Sequence, residues 1–385
     1  MPNSSTITSG ANFSIAAGAI ALKMWANVSS SVPAGKGAFM LQPRAEPIPA
    51  ARVEQGVRIV TCRVLGGERW GVANRMAISA QSLLKAAPLV RKADLVHING
   101  VWSPHVAQVW AMARLMRRPH IVSPHGNLER YSLGQSQLRK RVFMALYSRR
   151  ILTSAAAIHF TVQNERHEAP AWLQSTPAVI VPCVVKSLAT GDGARFRRRF
   201  NLGQEEKVLG MVGRIHQKKG FDIMLPALAG AGAGSKTRLV VVGPEEGDYL
   251  GEVKQMIREL DLGDRVLFSG ELHDQDLADA YAGFDLLMLP SYEENFGLVV
   301  AEAMMQGTAV AISEFVGSKD WVLKAGGGVV LPRELDLWVS LLRSLDQPGL
   351  LQSWASEELA QRTRDNFSLE SVGQAMVSAY RGLLG

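Results

Sequence analysis

The sequence has little cysteine and no long uninterrupted apolar segment. It contains two cysteines in 385 residues, Cys62 and Cys183, which argues against a disulfide framework and for a reducing compartment. The longest apolar run near the N-terminus, "FSIAAGAIALKMWANV", is interrupted by Lys23 and is too short to span a bilayer. No basic residue precedes this run, so a secretory signal is also a poor interpretation. We therefore expect a cytoplasmic protein.

Several signatures of nucleotide and nucleic-acid binding are missing as well. A dinucleotide-binding dehydrogenase needs G-x-G-x-x-G after its first strand, and both "LGGERWG" and "GDGARF" have the wrong spacing. The sequence has no P-loop, no zinc-ligand pattern and no RNP motif. It also has no internal repeat or low-complexity tract. These absences argue against a dehydrogenase and against nucleic acid as a partner.

The net charge of +7 hides a difference between the two halves of the chain. Residues 1–186 contain 22 lysines and arginines and 7 aspartates and glutamates, which gives +15. Residues 187–385 contain 20 basic and 28 acidic residues, which gives −8. A half-chain this basic favours an anionic partner, such as a phosphorylated substrate or a membrane surface.

The basic residues cluster at "RLMRR" (114–118), "LRKRVFMALYSRR" (138–150) and "RFRRRF" (195–200). Any one of these clusters could simply be the solvated face of a helix. In residues 138–150, however, the charges are interleaved with Val142, Phe143, Leu146 and Tyr147, a pattern typical of an amphipathic helix at a lipid interface. We therefore expect the protein to bind an anionic membrane surface peripherally, on the inner face of the cytoplasmic membrane.

Short apolar runs alternate with helix-like segments along most of the chain. The runs cover residues 94–100, 120–126, 157–162, 178–185, 208–215, 238–244, 265–270, 286–291, 309–313 and 328–332. Several are rich in Val and Ile throughout, as in parallel strands that are buried on both faces. The alternation predicts an α/β architecture.

The alternation is interrupted at residues 187–206, where Gly and charged residues accumulate and the charge balance changes sign. We place the domain boundary there, which gives domains of residues 1–186 and 187–366. The C-terminal helix, residues 367–385, is expected to pack near the first domain. Two doubly wound domains would then face each other across a cleft at the carboxyl ends of their strands, where open α/β sheets bind ligands.

The stretch "SYEENFGLVVAEAMMQG" (291–307) follows a strand and continues into a helix that ends at Gly307. Glu294 falls in the loop, and the helix start that follows offers unpaired N–H groups and a dipole that favour phosphate. Glu302 falls on the helix, within reach of a ribose beside that phosphate. Two solvated carboxylates are the alternative interpretation of this pair.

A second segment, "VLGMVGRIHQKKG", places Gly213, Arg214, Lys219 and Gly220 after another strand. Arginine offers bidentate hydrogen bonds and lysine a point charge, and both suit a diphosphate. Taken alone, this segment is a weak signal.

Together the two segments resemble the retaining GT-B glycosyltransferases of family 4. That family has G-R-[LI]-x-x-x-K-G followed by E-x-F-G-x-x-x-x-E-A-M-x-x-G, and here Gly213 and Glu294 lie 81 residues apart in the same order. The resemblance covers residues 90–385. It implies two Rossmann-like domains and transfer of a sugar from a nucleotide-diphosphate-sugar donor with retention of configuration. It also implies that no metal or other cofactor is needed.

The resemblance assigns roles to residues of both segments. The donor-binding residues it implies are Arg214 and Lys219 for the diphosphate, Glu294 for the donor sugar, Asn295, Phe296, Gly297 and Leu298 for the phosphate, and Glu302 for the ribose. Glu294 is also implied as catalytic. The chain resembles the polysaccharide- and lipopolysaccharide-building members of the family, and its basic first half favours a lipid-linked or anionic glycan acceptor over a soluble polymer.

The first half of the chain carries weaker family features. The His-Gly of "VSPHGN" implies that His125 positions or polarises the sugar at the reaction centre. "VHINGVWSPH" resembles the preceding strand and loop, and Asn99, Trp102 and His105 are candidates for contact with the acceptor.

The sequence departs from the family pattern in three places. Residues 1–20 show no first strand, and Gly10 is the one candidate there for the family's loop glycine. "VPCVV" stands in place of P-N-G-V, and Asp320 stands where Glu is common. The first departure leaves open an alternative, a catalytically impaired glycosyltransferase-like binding protein with a degenerate N-terminus.

Overall fold

The computed structural model describes residues 39–44, 51–54, 57–63, 80–134, 136–232, 236–245 and 247–385, with side chains from residue 83 onward except 130 and 131. These residues divide into two compact units. Unit 1 contains the residues up to Val184 together with Leu369–Gly385, and unit 2 contains Val185–Ser368.

The described strands are β1 Phe39–Arg44, β2 Ala51–Glu54, β3 Val57–Arg63, β4 Val96–Asn99, β5 His120–Ser123, β6 Ala157–Phe160, β7 Ala178–Ile180, β8 Lys207–Val212, β9 Thr237–Val242, β10 Val266–Gly270, β11 Leu286–Leu289, β12 Ala309–Ser313 and β13 Gly328–Leu331.

The described α-helices are α1 Ala80–Lys92, α2 Pro104–Leu115, α3 Arg130–Gly134, α4 Gln137–Phe143, α5 Arg149–Thr153, α6 Gln163–Glu168, α7 Gly193–Arg199, α8 Phe221–Gly230, α9 Tyr249–Glu259, α10 Asp274–Gly283, α11 Leu298–Met305, α12 Lys319–Ala325, α13 Leu335–Ser344, α14 Leu350–Trp354, α15 Glu357–Phe367 and α16 Leu369–Leu384. A π-helical segment, Met144–Ser148, joins α4 to α5, and short 3₁₀ turns cover Ala171–Leu173 and Gln217–Lys219. Along the described helices, none is both long enough and apolar enough to cross a membrane.

Unit 2 is built on a six-stranded parallel sheet with strand order β10-β9-β8-β11-β12-β13. From β8 the chain runs outward to β10, and it then returns to β11 beside β8 and runs outward in the other direction. The two directions separate between β8 and β11, and this is the switch point where doubly wound sheets bind ligands at the carboxyl ends of their strands.

Both faces of this sheet are covered, which explains the continuous Val and Leu runs. In β9, Leu239 and Val241 belong to the apolar core on one face, and Val240 and Val242 belong to the core on the other. All four side chains are almost completely buried. The predicted parallel α/β architecture is confirmed, because each of the ten apolar runs overlaps one of the strands β4 to β13.

Unit 1 contains a four-stranded parallel sheet with order β4-β5-β6-β7. The helices α1 and α2 cover one face, where Ala86 and Val106 pack with Ile98 and Val122. The C-terminal helix α16 covers the other face, and its apolar side packs on β5, β6 and the segment after β7. The side chains in that contact are Val372, Met376, Tyr380, Ile121, Ala157, Val181 and Val184.

A second sheet of unit 1 joins β1, β3 and β2, with β1 parallel and β2 antiparallel to β3. The pattern of apolar runs in the sequence did not predict these strands. "FMLQPR" and "VRIVTCR" mix apolar residues with basic and polar ones, so neither resembles a strand buried on both faces. Residues 1–20, in which the sequence shows no first strand, and Gly10 among them lie outside the described residues.

The basic segment 195–200 has a structural explanation within unit 2. Three arginines of α7 form ion pairs with aspartates on or just after α10: Arg195 with Asp279, Arg197 with Asp285 and Arg199 with Asp276. For this cluster, therefore, packing of α7 on α10 explains the charge better than an anionic partner does.

Candidate functional site

Two loops meet at the switch point of unit 2. One follows β8 and contains residues 213–216 with the turn Gln217–Lys219, and the other follows β11 and contains residues 290–297. We call them the switch-point loops. The Lys218 ammonium lies 3.0 Å from Glu293 Oε2, and the Lys218 carbonyl accepts a hydrogen bond from the Tyr292 N–H at 2.9 Å. The fold therefore brings the two sequence motifs side by side.

Close backbone approach in these loops requires glycine. Gly220 has φ +78°, and a Cβ atom there would lie 2.1 Å from the Pro290 carbonyl oxygen. Gly297 has φ +79°, and a Cβ atom there would lie 2.8 Å from Val316 Cγ1. Positive φ and the lack of space both exclude larger residues. The glycines of the two motifs thus hold the switch-point loops together and start α11.

Lys219 and Glu294 form an ion pair at the centre of the switch-point loops. Lys219 Nζ lies 2.5 Å from Glu294 Oε1, and the Ser291 hydroxyl donates to the same oxygen at 3.3 Å. The side chains are 15% and 20% exposed, so the pair is screened from solvent but open on one side. A ligand with hydroxyl donors and anionic oxygens could bind both partners. Arg214 lies on the first switch-point loop with its side chain exposed.

The backbone before α11 is fixed by the segment after β12. The Glu294 N–H donates to the Phe315 carbonyl at 3.0 Å, and the Ser318 N–H donates to the Phe296 carbonyl at 3.0 Å. The Phe296 side chain is buried and packs edge-on against Phe367, with ring centroids 5.4 Å apart. Among the predicted phosphate contacts, Phe296 can therefore contribute its backbone only. Asn295, Gly297 and Leu298 lie beside it at the start of α11, where helical N–H groups point outward.

Glu302 lies one turn into α11 and is mostly buried. Burial raises the pKa of its carboxyl group, while the Tyr281 hydroxyl and the nearby Lys186 lower that pKa. The Tyr281 hydroxyl donates to Glu302 Oε2 at 2.6 Å. The Glu302 carboxylate therefore has one oxygen occupied by the protein and the other available to a ligand.

In unit 1, Asn99 and His125 come together at the carboxyl ends of β4 and β5. His125 Nε2 lies 3.0 Å from Asn99 Oδ1, and since this oxygen only accepts, the imidazole donates through Nε2. His125 has φ +52° and retains exposed surface, although surrounding protein removes much of its hydration. This desolvation and the neighbouring His159 lower the pKa of His125 to about 4. The imidazole is therefore neutral at physiological pH.

A row of hydrogen bonds runs below this pair and ends at a carbonyl. His159 Nε2 lies 2.8 Å from the Val181 carbonyl oxygen, which makes Nε2 a donor and Nδ1 an acceptor. Ser123 Oγ, 2.6 Å from His159 Nδ1, must donate to it and accept from His97 Nε2 at 2.5 Å. His97 Nδ1 then accepts from the Tyr380 hydroxyl at 2.5 Å. The carbonyl thus fixes every proton in the row.

Glu165 ties the loops after β5 and β6 together. Its Oε1 accepts from the Gly126 N–H at 2.7 Å, and its Oε2 accepts from the Thr161 N–H at 2.8 Å and from the Thr161 hydroxyl at 3.0 Å. Burial raises the pKa of Glu165, and these three hydrogen bonds lower it. Because Gly126 directly follows His125, this carboxyl group fixes the backbone that holds the imidazole.

The other two acceptor candidates lie in packed surroundings. The His105 ring, just inside the start of α2, is 8% exposed, and burial lowers the pKa of His105 to about 4. The Trp102 carbonyl accepts from the Tyr147 hydroxyl at 2.9 Å, and the Lys140 ammonium lies 5.6 Å from the Trp102 ring centroid. Within the described part of the chain, neither His105 Nδ1 nor Trp102 Nε1 has a hydrogen-bond partner. Their contact with an acceptor stays a prediction.

Two departures from the family pattern, Cys183 and Asp320, lie within the described residues. Burial, followed by the nearby Glu165, raises the pKa of the Cys183 thiol to about 12, so it does not ionise near neutral pH. Asp320 lies in the first turn of α12, where a carboxylate suits the helix dipole. No group of three or more His, Cys, Asp or Glu side chains is arranged to hold a metal ion in the described residues.

Sequence reasoning missed the residues that support the site. Tyr281 contacts the predicted residue Glu302, and Glu165 contacts Gly126 beside the predicted His125. Ser123, His159 and Tyr380 belong to the row of hydrogen bonds near His125. Tyr281 and Tyr380 lie on amphipathic helices, where a tyrosine is read as part of the core. The available signal was the polarity of "SPHG" and "HFT", where buried strands carry Ser123 and His159.

Comparison with known proteins identifies both halves of the chain. Residues 192–347 match the family described as glycosyl transferases group 1, and residues 31–184 match the glycosyl transferase 4-like domain. The D-inositol 3-phosphate glycosyltransferase of Mycobacterium marinum is 28% identical over 364 residues, covering 89% of this chain and 75% of that protein. The Rhodococcus jostii protein of the same name is 35% identical over 200 residues, covering 50% and 44%.

Solved structures show the same fold at low identity. Sucrose-phosphate synthase from Thermosynechococcus elongatus superposes with a TM-score of 0.70 at 22% identity, covering 98% of this chain and 94% of that one. Anabaena HepE in complex with UDP and glucose gives 0.70 at 18%, covering 94% and 95%. WaaG, a glycosyltransferase involved in lipopolysaccharide biosynthesis, gives 0.69 at 18%, with the same coverage. The fold is GT-B, and each half of the chain matches a glycosyltransferase domain, a 4-like domain in the first half and a group 1 domain in the second.

Proposed function

We propose that the protein transfers a sugar from a nucleoside-diphosphate-sugar donor to an acceptor with retention of configuration and without a metal ion. The observation that carries the proposal is the ion pair of Lys219 and Glu294 at the switch point, beside the start of α11. A lysine, a carboxylate and outward-facing helical N–H groups are what a diphosphate joined to a sugar requires. In this proposal unit 2 binds the donor and unit 1 binds the acceptor.

Each donor group has a matching site on unit 2. Lys219 and Arg214 would neutralise the charge that develops on the departing diphosphate, and the backbone of residues 295–298 would donate to its oxygens. Glu294 would accept from sugar hydroxyls, and Glu302 from the ribose. UDP and UDP-glucose are the ligands named for HepE, so a uridine nucleotide is the first donor to test.

A screen of nucleoside diphosphates and their sugars by thermal shift tests the donor half directly. A ligand that binds only the folded protein raises its stability by mass action. UDP or another nucleoside diphosphate should raise the melting temperature of wild-type protein, and Lys219→Ala should reduce the shift. If no nucleoside diphosphate or nucleotide sugar shifts the melting temperature, the proposed function is wrong.

For the acceptor, we propose a lipid-linked or glycan molecule in exopolysaccharide, capsule or lipopolysaccharide synthesis. The support is the basic first half of the sequence and the structural likeness to WaaG. A second candidate, a soluble phosphorylated polyol, is favoured by the name that the mycobacterial and Rhodococcus relatives share. Incubation with a radiolabelled donor and each acceptor class separates them, because the label enters either an organic-extractable or a water-soluble product.

The proposed membrane contact is the surface of α4, the π-helical segment and α5. Exposed apolar side chains lie there beside exposed arginines: Leu138, Val142, Leu146, Arg139, Arg141, Arg149 and Arg150. Lys140 and Arg149 differ from the others, because the Lys140 ammonium contacts the Ser132 carbonyl and the Trp102 ring and the Arg149 guanidinium lies over the Trp172 ring. Replacing Arg139, Arg141 and Arg150 by Gln should reduce co-sedimentation with anionic vesicles, and salt should weaken the wild-type interaction. Equal binding to neutral and anionic vesicles at low salt would contradict it.

The alternative is a binding protein that has lost catalysis. It predicts nucleotide binding without turnover, whereas the proposed enzyme predicts both. Release of nucleoside diphosphate from a nucleotide sugar that binds, measured with and without acceptor, distinguishes the two.

A further inference from the structure

Tyr281 lies on α10 and reaches the carboxylate of Glu302 on α11 from the interior of unit 2. Its ring is fully buried and packs edge-on against Phe284, with ring centroids 6.3 Å apart. Burial raises the pKa of Tyr281 well above its ordinary value, so the phenol keeps its proton and must be the donor to Glu302 Oε2. The hydrogen bond of 2.6 Å is therefore a charge-assisted bond of fixed direction.

The position of Tyr281 is itself fixed by the neighbouring strand connection. The Thr308 hydroxyl donates to the Tyr281 backbone carbonyl at 2.6 Å, and Thr308 is buried. Since the phenol is held by packing and the carbonyl by Thr308, Tyr281 has little freedom to leave Glu302. Glu302 Oε2 is thus occupied by the protein, and no hydrogen bond to Oε1 is seen among the described residues.

Other charged groups around α11 give Glu302 weaker support. Lys186 interacts with it electrostatically, but the Lys186 ammonium is already paired with Asp274 at 2.6 Å. On α15, which packs against α11, the Arg364 guanidinium contacts Glu357 and the Met305 carbonyl. Tyr281 is thus the side chain that donates directly to Glu302 among the contacts described.

We propose that Tyr281 is a positioning residue for Glu302, which keeps this carboxylate ionised and orients its Oε1 to accept hydrogen bonds from the hydroxyls of a ribose. The proposal rests on the proposed function, because it assumes that Glu302 meets the ribose of the donor. It adds a specificity: an oriented carboxylate favours the vicinal diol of ribose over 2′-deoxyribose, since the missing hydroxyl leaves an acceptor unpaired.

Calorimetry of UDP and 2′-deoxy-UDP against Tyr281→Phe tests the proposal. Thr363→Val is the matched control, because it removes a buried hydroxyl that donates to the Leu359 carbonyl within α15 and leaves the Tyr281–Glu302 bond in place. Tyr281→Phe should weaken UDP about tenfold and 2′-deoxy-UDP less, so discrimination between them should fall. Thr363→Val should bind both ligands within about twofold of wild type. Melting temperatures verify that both variants are folded.

The pH dependence of UDP binding separates positioning from a general loss of packing. The tyrosine hydroxyl lowers the Glu302 pKa, so its removal should let Glu302 take up a proton at higher pH. UDP affinity of Tyr281→Phe should therefore begin to fall at a higher pH than wild-type affinity does as pH decreases. In a protein that already carries Glu302→Gln, Tyr281→Phe should no longer change the pH dependence of UDP binding.

The results show whether the role of Tyr281 alone is wrong or whether the proposed donor site is wrong as well. If wild-type protein binds UDP and Tyr281→Phe binds it equally well, the role of Tyr281 alone is overturned. Equal losses in Tyr281→Phe and Thr363→Val would overturn it as well. If wild-type protein bound no nucleoside diphosphate, both the donor site and the role of Tyr281 would be wrong.

Discussion

The switch-point loops of unit 2 are joined by ion pairs, whereas the row of hydrogen bonds beside His125 in unit 1 consists of neutral side chains. Lys218 and Lys219 of the switch-point loops each face a carboxylate. In unit 1, the His97 and His159 rings are desolvated, and the Ser123 hydroxyl joins them by hydrogen bonds. Charged groups suit a diphosphate, whose charge changes when it leaves, while neutral imidazoles donate and accept hydrogen bonds without carrying charge. Charged side chains are what a unit that binds the donor diphosphate would need, and neutral hydrogen-bonding side chains are what a unit that faces the sugar would need.

The largest expected effect comes from breaking the central ion pair. Lys219→Ala should lower the rate of transfer on the order of 10²-fold or more, because it removes charge from the diphosphate and frees Glu294 from its partner. Lys218→Ala is the control, since this neighbouring lysine pairs with Glu293 instead. We expect the control to remain within a few-fold of wild type in a steady-state turnover assay. Equal losses in the two variants would show that the turn, and not Lys219, matters.

A smaller effect on kcat is expected when His125, the neutral imidazole of unit 1, is replaced. His125→Asn keeps a residue type that tolerates positive φ, yet removes the imidazole, and should lower kcat about tenfold or more. His167→Asn, at an exposed position of α6, is the control. With the pKa of His125 lowered to about 4, the wild-type rate should show no His125 titration between pH 5.5 and 8. A step near pH 6.5 that disappears in His125→Asn would contradict the neutral imidazole.

The sequence was sufficient to predict the strands β4 to β13, but not β1 to β3 and not the side chains that hold the site residues in place. β8 to β13 were predictable because each is apolar on both faces, and the positions of Gly213 and Glu294 follow from strand order once the switch point is known. Tyr281 and Glu165 could not be predicted, because their partners depend on tertiary contacts between helices and loops. Patterns of burial predict strands, but the acceptor of a single buried hydroxyl depends on the packed structure.

The smallest expected effect is the pH dependence of the free energy of unfolding, which should differ between the two units. His105 and His159 of unit 1 have pKa values lowered to about 4 from 6.5, so between those values the unfolded chain binds protons that the folded chain does not. Their contribution is complete above pH 6.5 and is lost as pH falls, at about 1 kcal/mol per pH unit for each. Unit 2 contains His216 and His273, and neither is buried.

Hydrogen exchange followed by mass spectrometry, corrected for the intrinsic pH dependence of exchange, measures this difference in the whole chain. Between pH 7 and pH 5, protection should fall in β4, β5 and β6 and change little in β8, β9 and β11. A parallel fall in both units would mean that the buried histidines are not its cause.

Calorimetry of UDP against Glu294→Ala and Glu302→Ala tests the central claim, a donor site at the switch point, most directly. Glu302→Ala should weaken UDP about tenfold and raise KM, because the ribose contact exists in both the ground state and the transition state. Glu294→Ala should bind UDP almost normally and lose kcat, because UDP lacks the sugar that Glu294 holds. If Glu294→Ala weakens UDP as much as Glu302→Ala does, or if neither changes binding or rate in an active enzyme, the account of the site is contradicted.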